Sequence, residues 1–322
     1  MTKALSTLTT IRVGGVPGAL VEAFTRGALI EETRRVWSSG EDWFVLGGGS
    51  NVVVADEIEN LHVIRAANTG IEKTGHGRIR VQAGESWDAV VSYCVEHGLG
   101  GVESLAGIPG TAGAAPVQNI GAYGAELADV FVACEFLDYM TGEVEILDKD
   151  ACEFGYRDSV FKRGKVGVIT WIELQLLADL PAGSTELLKR RRIEVLEQRA
   201  SKGMVLNDAD TDTHSCGSFF TNPIVSSSFA RDLPGDAPAW SVDEDGTRIK
   251  LSAAWLIEHA GIYKGMSLGE SRAAISSKHA LAITNTGGAN AKQIGELARF
   301  VQERVSNTFG ITLVPEPSFI GF

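Results

Sequence analysis

Two glycine-rich segments constrain the fold of this chain more than any other feature of its sequence. The first is Gly47–Asn51 (GGGSN), which lies between two short apolar runs, and the second is Gly107–Gly124 (GIPGTAGAAPVQNIGAYG). The second segment contains no charged residue and is rich in alanine as well as glycine. Because glycine lacks a Cβ atom, the backbone N–H groups of such loops can converge on an anion or a flat ring. The two segments therefore predict two backbone cradles for one dinucleotide.

Neither segment matches the common phosphate-binding motifs. GGGSN lacks the Lys–Ser/Thr pair of a Walker A loop, and a strand rather than a helix is predicted after it, unlike in the GxGxxG fingerprint. A tight connection between two strands would explain GGGSN equally well. A buried irregular connection would explain 107–124, but a loop of this length inside a compact domain is usually functional.

Charge and cysteine content exclude several classes of partner. The 322 residues carry 29 Lys and Arg against 41 Asp and Glu, which gives a net charge of -12. Such a chain repels polyanions, so we expect no nucleic-acid or membrane partner and a locally basic pocket for any anionic ligand. The four cysteines form no CxxC pair and the histidines no HExxH motif, which predicts no metal site and a reducing compartment. The first ten residues lack the apolar segment of a signal peptide, so we expect a cytoplasmic protein. We also expect it to be a monomer.

Hydrophobic periodicity predicts alternating strands and helices in two or three domains. The predicted strands are 20–24, 43–46, 52–55, 61–66, 78–83, 131–138, 143–147, 166–177 and 280–284. The predicted helices are 26–39, 86–97, 184–202, 251–260 and 291–309. Asn290 and Gln293 are typical of a capping box at the start of the last helix. The tail 311–322 has strand character and could rejoin an earlier domain.

Three further motifs carry candidate catalytic side chains. Arg157 in FGYRDSVFK could clamp a carboxylate or form an ordinary ion pair with Asp158. Ser218 in CGSFFTNP has apolar neighbours, but no Ser–His–Asp arrangement accompanies it, and a lone serine is usually structural. Glu316 stands between two prolines that stiffen its backbone, which suits a positioned acid as well as a charged terminal turn.

The order of these five motifs resembles the UDP-N-acetylenolpyruvoylglucosamine reductase family, from Thr9–Arg12 to Phe322. The resemblance implies an α+β protein, with a two-subdomain FAD-binding fold of the vanillyl-alcohol-oxidase/PCMH type and a C-terminal α+β substrate-binding domain. The implied domains are 1–66 for the first FAD-binding subdomain, 67–202 with 311–322 for the second, and 203–310 for the substrate-binding domain.

The activity implied by the resemblance is reduction of UDP-N-acetylglucosamine enolpyruvate to UDP-N-acetylmuramate, with FAD as cofactor and NADPH as co-substrate, in peptidoglycan synthesis. Ser218 would protonate the carbon beside the one that receives the hydride, and Arg157 and Glu316 would stabilise the enolate-like intermediate. The implied FAD-binding residues are Gly47, Gly48, Gly49, Ser50, Asn51, Gly110, Thr111, Ala112, Gly113, Ala114, Ala115, Ile120 and Gly121. The implied substrate-binding residues are Tyr123, Arg199, Lys202, Asn222 and Lys264.

Because every implied ligand is an anion, Arg157, Arg199, Lys202 and Lys264 are expected to converge on one pocket. Most of the basic residues of helix 184–202 are expected to face solvent.

Two positions depart from the family pattern. One branch has a tyrosine-bearing loop that closes over UDP, whereas only 178–184 stands there in this chain and holds no tyrosine. Either UDP is covered differently or that loop is missing from the sequence. Ser318 stands where the family often has arginine, while GSFFTNP and the loop 207–214 favour the branch with a serine acid. A flavin-dependent sugar or lactone oxidase and a non-catalytic nucleotide-sugar binding protein are the competing hypotheses.

Overall fold

The computed structural model describes residues 3–322. Its strands are β1 (Ala19–Ala23), β2 (Asp42–Leu46), β3 (Val52–Val54), β4 (Leu61–Ala66), β5 (Ile71–Gly75), β6 (Arg78–Gln82), β7 (Gly121–Ala122), β8 (Ala125–Glu126), β9 (Phe131–Asp138), β10 (Val144–Asp148), β11 (Gly167–Gln175), β12 (Ile224–Ser226), β13 (Ala239–Ser241), β14 (Arg248–Leu251), β15 (Ala273–Ile275), β16 (Ile283–Asn285) and β17 (Ser318–Ile320). Its α-helices are α1 (Arg26–Ser39), α2 (Trp87–Glu96), α3 (Ser184–Ser201), α4 (Ser227–Arg231), α5 (Ala253–His259) and α6 (Ala291–Phe309). Short 3-10 helices cover Leu5–Thr7, Glu103–Leu105, Ala115–Gln118, Leu127–Asp129 and Thr211–Thr213.

Most predicted elements agree with the structure to within two residues at either end. The strand predicted at 280–284 is wrong in its first half, because Ala282 donates its N–H to the carbonyl of His279 in a turn and β16 begins only at Ile283. In the tail, only Ser318–Ile320 forms a strand. Strands β5, β7, β8, β12, β13, β14 and β15 were not predicted. All of them except β5 have only two to four residues, which is too short for an alternating pattern to be recognised.

The chain folds into two compact units. The N-terminal unit comprises the described residues through Leu8, Gly15–Ser50 and Glu57–Leu206, and the C-terminal unit comprises Thr9–Gly14, Asn51–Asp56 and Asn207–Phe322. The structure therefore divides the chain differently from the predicted boundaries. In particular, the tail predicted to join the second FAD-binding subdomain belongs to the C-terminal unit, where β17 pairs in parallel with β3.

Within the N-terminal unit, the first α/β element is a parallel sheet with one helix. The strand order is β1-β4-β2, and α1 crosses from β1 to β2. Thr25 begins the helix by accepting the N–H of Ala28 at 3.1 Å, and Gly40 ends it with a φ of 73°. Leu29 and Val36 bury one face of α1, as its periodicity predicts. This element presents the first glycine-rich loop directly after β2.

The second element of the N-terminal unit is an antiparallel sheet covered by helices. Its order is β10-β9-β11-β6-β5, and a hairpin at Thr141–Gly142 joins β9 to β10. Helix α2 buries Trp87, Val90 and Val91 against this sheet, and the indole of Trp87 donates to the carbonyl of Leu105 at 3.2 Å. The second glycine-rich loop follows directly and is held against α2 and α3.

The C-terminal unit is built around the long amphipathic helix α6. Asn290 and Gln293 form the predicted capping box, and Gly310 ends the helix with a φ of 71°. The buried face of α6, including Ile294 and Leu297, packs with residues of α5, β15 and β16. Asp56, next to β3, also accepts the N–H of Ala291 at 3.0 Å, so an early segment of the chain caps this late helix.

The described residues 3–322 contain neither a candidate membrane-spanning helix nor a candidate metal-binding cluster. None of the helices described there is both long and apolar enough to cross a membrane. Likewise, no group of three or more His, Cys, Asp and Glu side chains in this range could hold a metal ion. The four cysteines are buried thiols that form no disulfide.

Candidate functional site

The structure brings the two glycine-rich loops of the N-terminal unit into direct contact. The Ser50 hydroxyl donates to the carbonyl of Pro109 at 2.8 Å. A Cβ atom added to Gly48 would lie 2.7 Å from the Cα of Gly110, and one added to Gly47 would lie 2.6 Å from the Thr111 hydroxyl. These glycines are therefore required by the approach of one loop to the other.

Part of the second loop is committed to the protein itself. The N–H groups of Ala112 and Gly113 donate to the carbonyls of Glu85 and Ala83 at 2.9 and 2.8 Å. Those of Ala114 and Ala115 donate to Thr111, and that of Ile120 donates to Ala115. The expectation that this backbone offers its amides to a ligand is thus wrong for these residues, because their amides already close the loop. They can touch a ligand only through other atoms.

Several amides where the two loops meet have no acceptor among the described residues. Among the hydrogen bonds of residues 3–322, none uses the backbone N–H of Gly48, Gly49, Ser50, Gly110 or Thr111 as donor. Gly49 is buried and, like Gly110, has a positive φ. Consecutive amides in such conformations form a concave anion-binding nest. The donor set fits the diphosphate of a dinucleotide such as FAD.

Asn51, the last residue of GGGSN, belongs to the C-terminal unit. Its carbonyl accepts the N–H of Ser318 at 3.0 Å, and its side-chain amide donates to the carbonyl of Glu316 at 3.2 Å. The loop predicted as one cofactor-binding motif is thus divided between the two units, and its last residue supports the segment that carries Glu316.

Arg157 lies against the second glycine-rich loop. Its guanidinium donates to the carbonyl of Gly121 and, at 3.4 Å, to that of Asn119. Arg157 has a φ of 53°, an uncommon conformation for a residue with a side chain. The carboxylate of Asp158 pairs with Arg163. The motif therefore holds Arg157 against the second glycine-rich loop through carbonyl contacts.

Arg199 is a second cation of this unit and is only 8% exposed. Burial lowers the pKa of Arg199, the negative charge of Asp88 opposes this effect, and the positive charge of Arg157 adds to it. Its Nη2 donates to the carbonyl of Met204 at 3.2 Å, while its Nε is buried without a partner among the described residues. An unpaired buried guanidinium nitrogen is costly unless a ligand completes it.

Arg199, Lys202 and Tyr123 together are called the basic cluster. The ammonium of Lys202 lies 5.9 Å from the centroid of the Tyr123 ring, within cation–π distance. Tyr123 also has a positive φ of 50°. Of the four cations predicted to converge, Arg157, Arg199 and Lys202 belong to the N-terminal unit. The charge of Arg157 acts on Arg199, and Lys202 lies within cation–π distance of Tyr123. Lys189 and Arg190 of α3 are exposed beside glutamates of the same helix, as expected for a solvated face.

No functional role was predicted for Asp88, but its side chain links three segments of this region. Its two carboxylate oxygens accept the N–H of Gly107 at 2.8 Å and the guanidinium of Arg192 at 2.7 Å. It thereby joins the first turn of α2, the start of the second glycine-rich loop and α3. An acid in the first turn of a predicted helix is a common sequence feature, so only the contact reveals this role.

Replacement of Asp88 by alanine should lower the free energy of unfolding by about 1–3 kcal/mol, because a half-buried N–H and a charged partner lose their acceptor together. Urea unfolding monitored by circular dichroism measures this change. Glu186→Ala, which removes an exposed ion pair to Lys189 at the start of α3, is the control and should change stability by less than about 0.5 kcal/mol. Equal effects of both substitutions would contradict the bridging role.

In the C-terminal unit, the structure places the Ser218 and Glu316 motifs side by side. The N–H of Glu316 donates to the carbonyl of Phe219 at 2.9 Å, and the N–H of Thr221 donates to that of Val314 at 3.0 Å. The ring of Phe219 is fully buried, so it anchors the residue that follows Ser218. Two motifs almost one hundred residues apart in sequence thus run antiparallel next to each other.

The remaining predicted residues of the C-terminal unit have separate surroundings. The side-chain oxygen of Asn222 accepts the N–H of Ala253 at 2.9 Å and so caps α5. Lys264 is exposed in the turn after α5. Burial raises the pKa of the Cys216 thiol to about 12, and its sulfur lies 3.5 Å from the carbonyl of Val52. A thiol with a pKa raised in this way stays protonated near neutral pH and is a poor nucleophile.

The family of this chain follows from its similarity to known proteins. Residues 208–320 match the model of the UDP-N-acetylenolpyruvoylglucosamine reductase C-terminal domain, and residues 17–148 match that of an FAD binding domain. A UDP-N-acetylenolpyruvoylglucosamine reductase from Leifsonia xyli subsp. xyli is 47% identical over 99% of this chain and 98% of its own length. The chain belongs to the UDP-N-acetylenolpyruvoylglucosamine reductase family. It therefore combines a PCMH-type FAD-binding domain with the C-terminal domain of this family.

Two further members of the reductase family agree over nearly the full chain. The relative from Mycobacterium sp. (strain MCS) is 42% identical over 99% of this chain and 95% of its own length. The crystal structure of UDP-N-acetylenolpyruvylglucosamine reductase from Thermus caldophilus superposes with a TM-score of 0.73 and 30% identity, and covers 99% of this chain and 97% of the other. The Leifsonia alignment spans 370 positions, more than the 322 residues here, so that relative has segments which this chain lacks.

Proposed function

We propose that this chain catalyses the NADPH-dependent reduction of UDP-N-acetylglucosamine enolpyruvate to UDP-N-acetylmuramate, with FAD as its cofactor. The observation that carries the proposal is the match, over 99% of the chain, to a relative named for this reduction. The joined glycine-rich loops and the paired Ser218 and Glu316 segments support it. The reaction belongs to peptidoglycan precursor synthesis and so to cell-wall biogenesis, and we propose that the chain performs it as a cytoplasmic monomer.

The nest of free amides is the proposed binding site for the FAD diphosphate. Gly48, Gly49 and Ser50 of the first loop and Gly110 and Thr111 of the second would donate to its oxygens. The chemistry that FAD would supply is the transfer of a hydride from NADPH to the enolpyruvyl group. Gly47, Asn51, Gly121 and the segment 112–115 with Ile120 stay predicted contacts of the cofactor.

Arg157 is proposed to stabilise the substrate carboxylate. Addition of a hydride to the distal vinyl carbon moves an electron pair toward this carboxylate and leaves an enolate-like intermediate. A fixed guanidinium stabilises the developing charge without reorganisation during the reaction. Arg157 suits this role because carbonyl contacts with the second glycine-rich loop hold its side chain. Glu316 is proposed to hydrogen-bond the same carboxylate.

Ser218 is proposed to complete the reduction by donating its hydroxyl proton to the carbon that bears the ether oxygen. A serine hydroxyl is a weak acid, but a carbanion-like carbon is a strong base, so the transfer is favourable in this pairing. The proton returns to Ser218 from solvent. The neighbouring Phe219 and Phe220, both buried, fix the backbone on which this hydroxyl stands.

The basic cluster is the proposed site for the substrate diphosphate. Arg199 offers its buried, unpartnered Nε, and Lys202 and Tyr123 lie next to each other. Charge-assisted hydrogen bonds from arginine and lysine are the common means of binding phosphate. Asn222 and Lys264 stay predicted substrate contacts. A chain with a net charge of -12 can hold such anions because its basic residues are concentrated locally.

The visible absorption spectrum tests the proposal most directly. Purified protein should be yellow, and anaerobic NADPH should bleach the flavin bands, which the enolpyruvyl substrate should then restore. If NADPH left the bands unchanged, while a sugar or lactone bleached them and oxygen restored them with release of peroxide, the protein would instead be a sugar or lactone oxidase. A colourless protein that binds the UDP-sugar would identify a non-catalytic binding protein.

A further inference from the structure

Asn119 is a fully buried polar residue of the second glycine-rich loop. Its side-chain oxygen accepts the N–H of Ala128 at 2.9 Å, and its side-chain amide donates to the carbonyl of Gly155 at 3.0 Å. Its φ of 45° lies in the left-handed region, which asparagine tolerates better than most residues with a Cβ atom. Asn119 therefore fixes three pieces of chain with one side chain and one unusual backbone conformation.

The side chain and the backbone carbonyl of Asn119 both contact the segment that carries Arg157. Gly155, which Asn119 binds through its amide, stands two residues before Arg157 in the same tight turn, where Gly155 and Asp158 exchange backbone hydrogen bonds of 3.0 and 3.2 Å. The carbonyl of Asn119 accepts Nη1 of Arg157 at 3.4 Å, and that of Gly121 accepts Nη2. Asn119 thus sets the position of the Arg157 backbone and also supplies an acceptor for its guanidinium.

A second buried contact makes the connection rigid. The fully buried Ser159 donates its hydroxyl to the carbonyl of Val117 at 2.6 Å. The second glycine-rich loop therefore holds the chain on both sides of Arg157, through one side-chain hydrogen bond at Gly155 and another at Ser159. Positive φ values at both Asn119 and Arg157 store backbone strain that only such over-determined surroundings maintain.

We propose that Asn119 is the positioning residue that holds the guanidinium of Arg157 in its working orientation. The inference rests on the proposed function of Arg157 and adds that the orientation is set from the glycine-rich loop. Displacement of a charge-stabilising group by about 1 Å can cost about a hundredfold in rate. The loop that is proposed to hold the cofactor thereby also aligns the group that acts on the substrate carboxylate.

The test compares Asn119→Ala and Asn119→Gly with Asn68→Ala. Asn68 is another buried asparagine of the N-terminal unit, whose amide donates to the carbonyl of Thr170 at 2.9 Å and to Gln82 at 3.0 Å. Glycine at 119 adopts the positive φ without strain, so Asn119→Gly remains informative if the alanine variant fails to fold. FAD content, the rate of flavin reduction by NADPH, and kcat and KM for the enolpyruvyl substrate are measured for each variant.

We expect Asn119→Gly to keep its FAD and its reduction by NADPH but to lose about 10- to 100-fold in kcat for the enolpyruvyl substrate. The control Asn68→Ala should lose stability without this loss in kcat. An unchanged kcat in Asn119→Gly, or an equal loss in Asn68→Ala, would overturn the positioning role.

A double-mutant cycle with Arg157→Ala separates this inference from the proposed function. If Asn119 acts through Arg157, Asn119→Gly should cause no further loss of kcat in the Arg157→Ala background. Losses that multiply would refute the positioning role while leaving the role of Arg157 intact. A fully active Arg157→Ala enzyme would instead refute the proposed role of Arg157 itself.

Discussion

Gly48→Ala should weaken FAD binding by about tenfold or more and destabilise the N-terminal unit by about 1–3 kcal/mol. The added Cβ atom would lie 2.7 Å from the Cα and 3.0 Å from the carbonyl carbon of Gly110. Both atoms are backbone, so no rotamer change can relieve the clash and the two loops must separate. Because the free amides of Gly48 and Gly110 stand on opposite loops, separation also breaks the proposed nest.

Gly27→Ala is the matched control for this substitution. Gly27 lies in the first turn of α1 in the same unit, and an added Cβ atom would meet no atom within 4 Å. Alanine should be neutral or stabilise the helix by up to about 1 kcal/mol. Fluorescence titration of the apoprotein with FAD and urea unfolding measure the two effects. An FAD affinity in Gly48→Ala equal to that in Gly27→Ala would show that the contact between the loops does not form the cofactor site.

The glycine-rich loops show how far the sequence predicts the site. Glycine clusters indicate that a backbone must be approached closely, but composition does not say what approaches it. At Gly47, Gly48 and Gly113 the approaching atoms belong to the protein itself, and the amides of Ala112–Ala115 are consumed within the loop. Only a structure distinguishes amides that close a loop from amides that face a ligand.

The fold was predictable where periodicity is local, as in α1 and α6, whose caps and buried faces follow directly from their residues. Pairings between distant segments were not. The parallel pair of β17 and β3 joins residues more than 250 positions apart, and three-residue strands carry too short a pattern to indicate a partner. The same limit explains the division of GGGSN between two units and the pairing of Asp158 with Arg163.

Ser218→Ala should leave reduction of the flavin by NADPH unchanged and slow its reoxidation by the enolpyruvyl substrate by about 10²- to 10⁴-fold. The substitution removes only the hydroxyl, while Phe219, anchored in the core, and its hydrogen bond from Glu316 keep the backbone in place. Hydride addition without a proton donor leaves an enolate-like intermediate that gives the hydride back more readily than it forms product. Anaerobic stopped-flow absorbance separates the two half-reactions.

Two variants decide whether the hydroxyl of Ser218 is the acid. Ser228→Ala removes an exposed hydroxyl of α4 in the same unit and should leave both half-reactions unchanged. Ser218→Cys keeps a donor at the same position, and because a thiol is a stronger acid than a hydroxyl it should recover part of the lost rate. Full turnover in Ser218→Ala would assign the proton to another group. A slow Ser218→Ala enzyme with an equally slow Ser218→Cys enzyme would indicate that the serine acts through its size or its hydrogen bonds, because only a proton donor is rescued by a second proton donor.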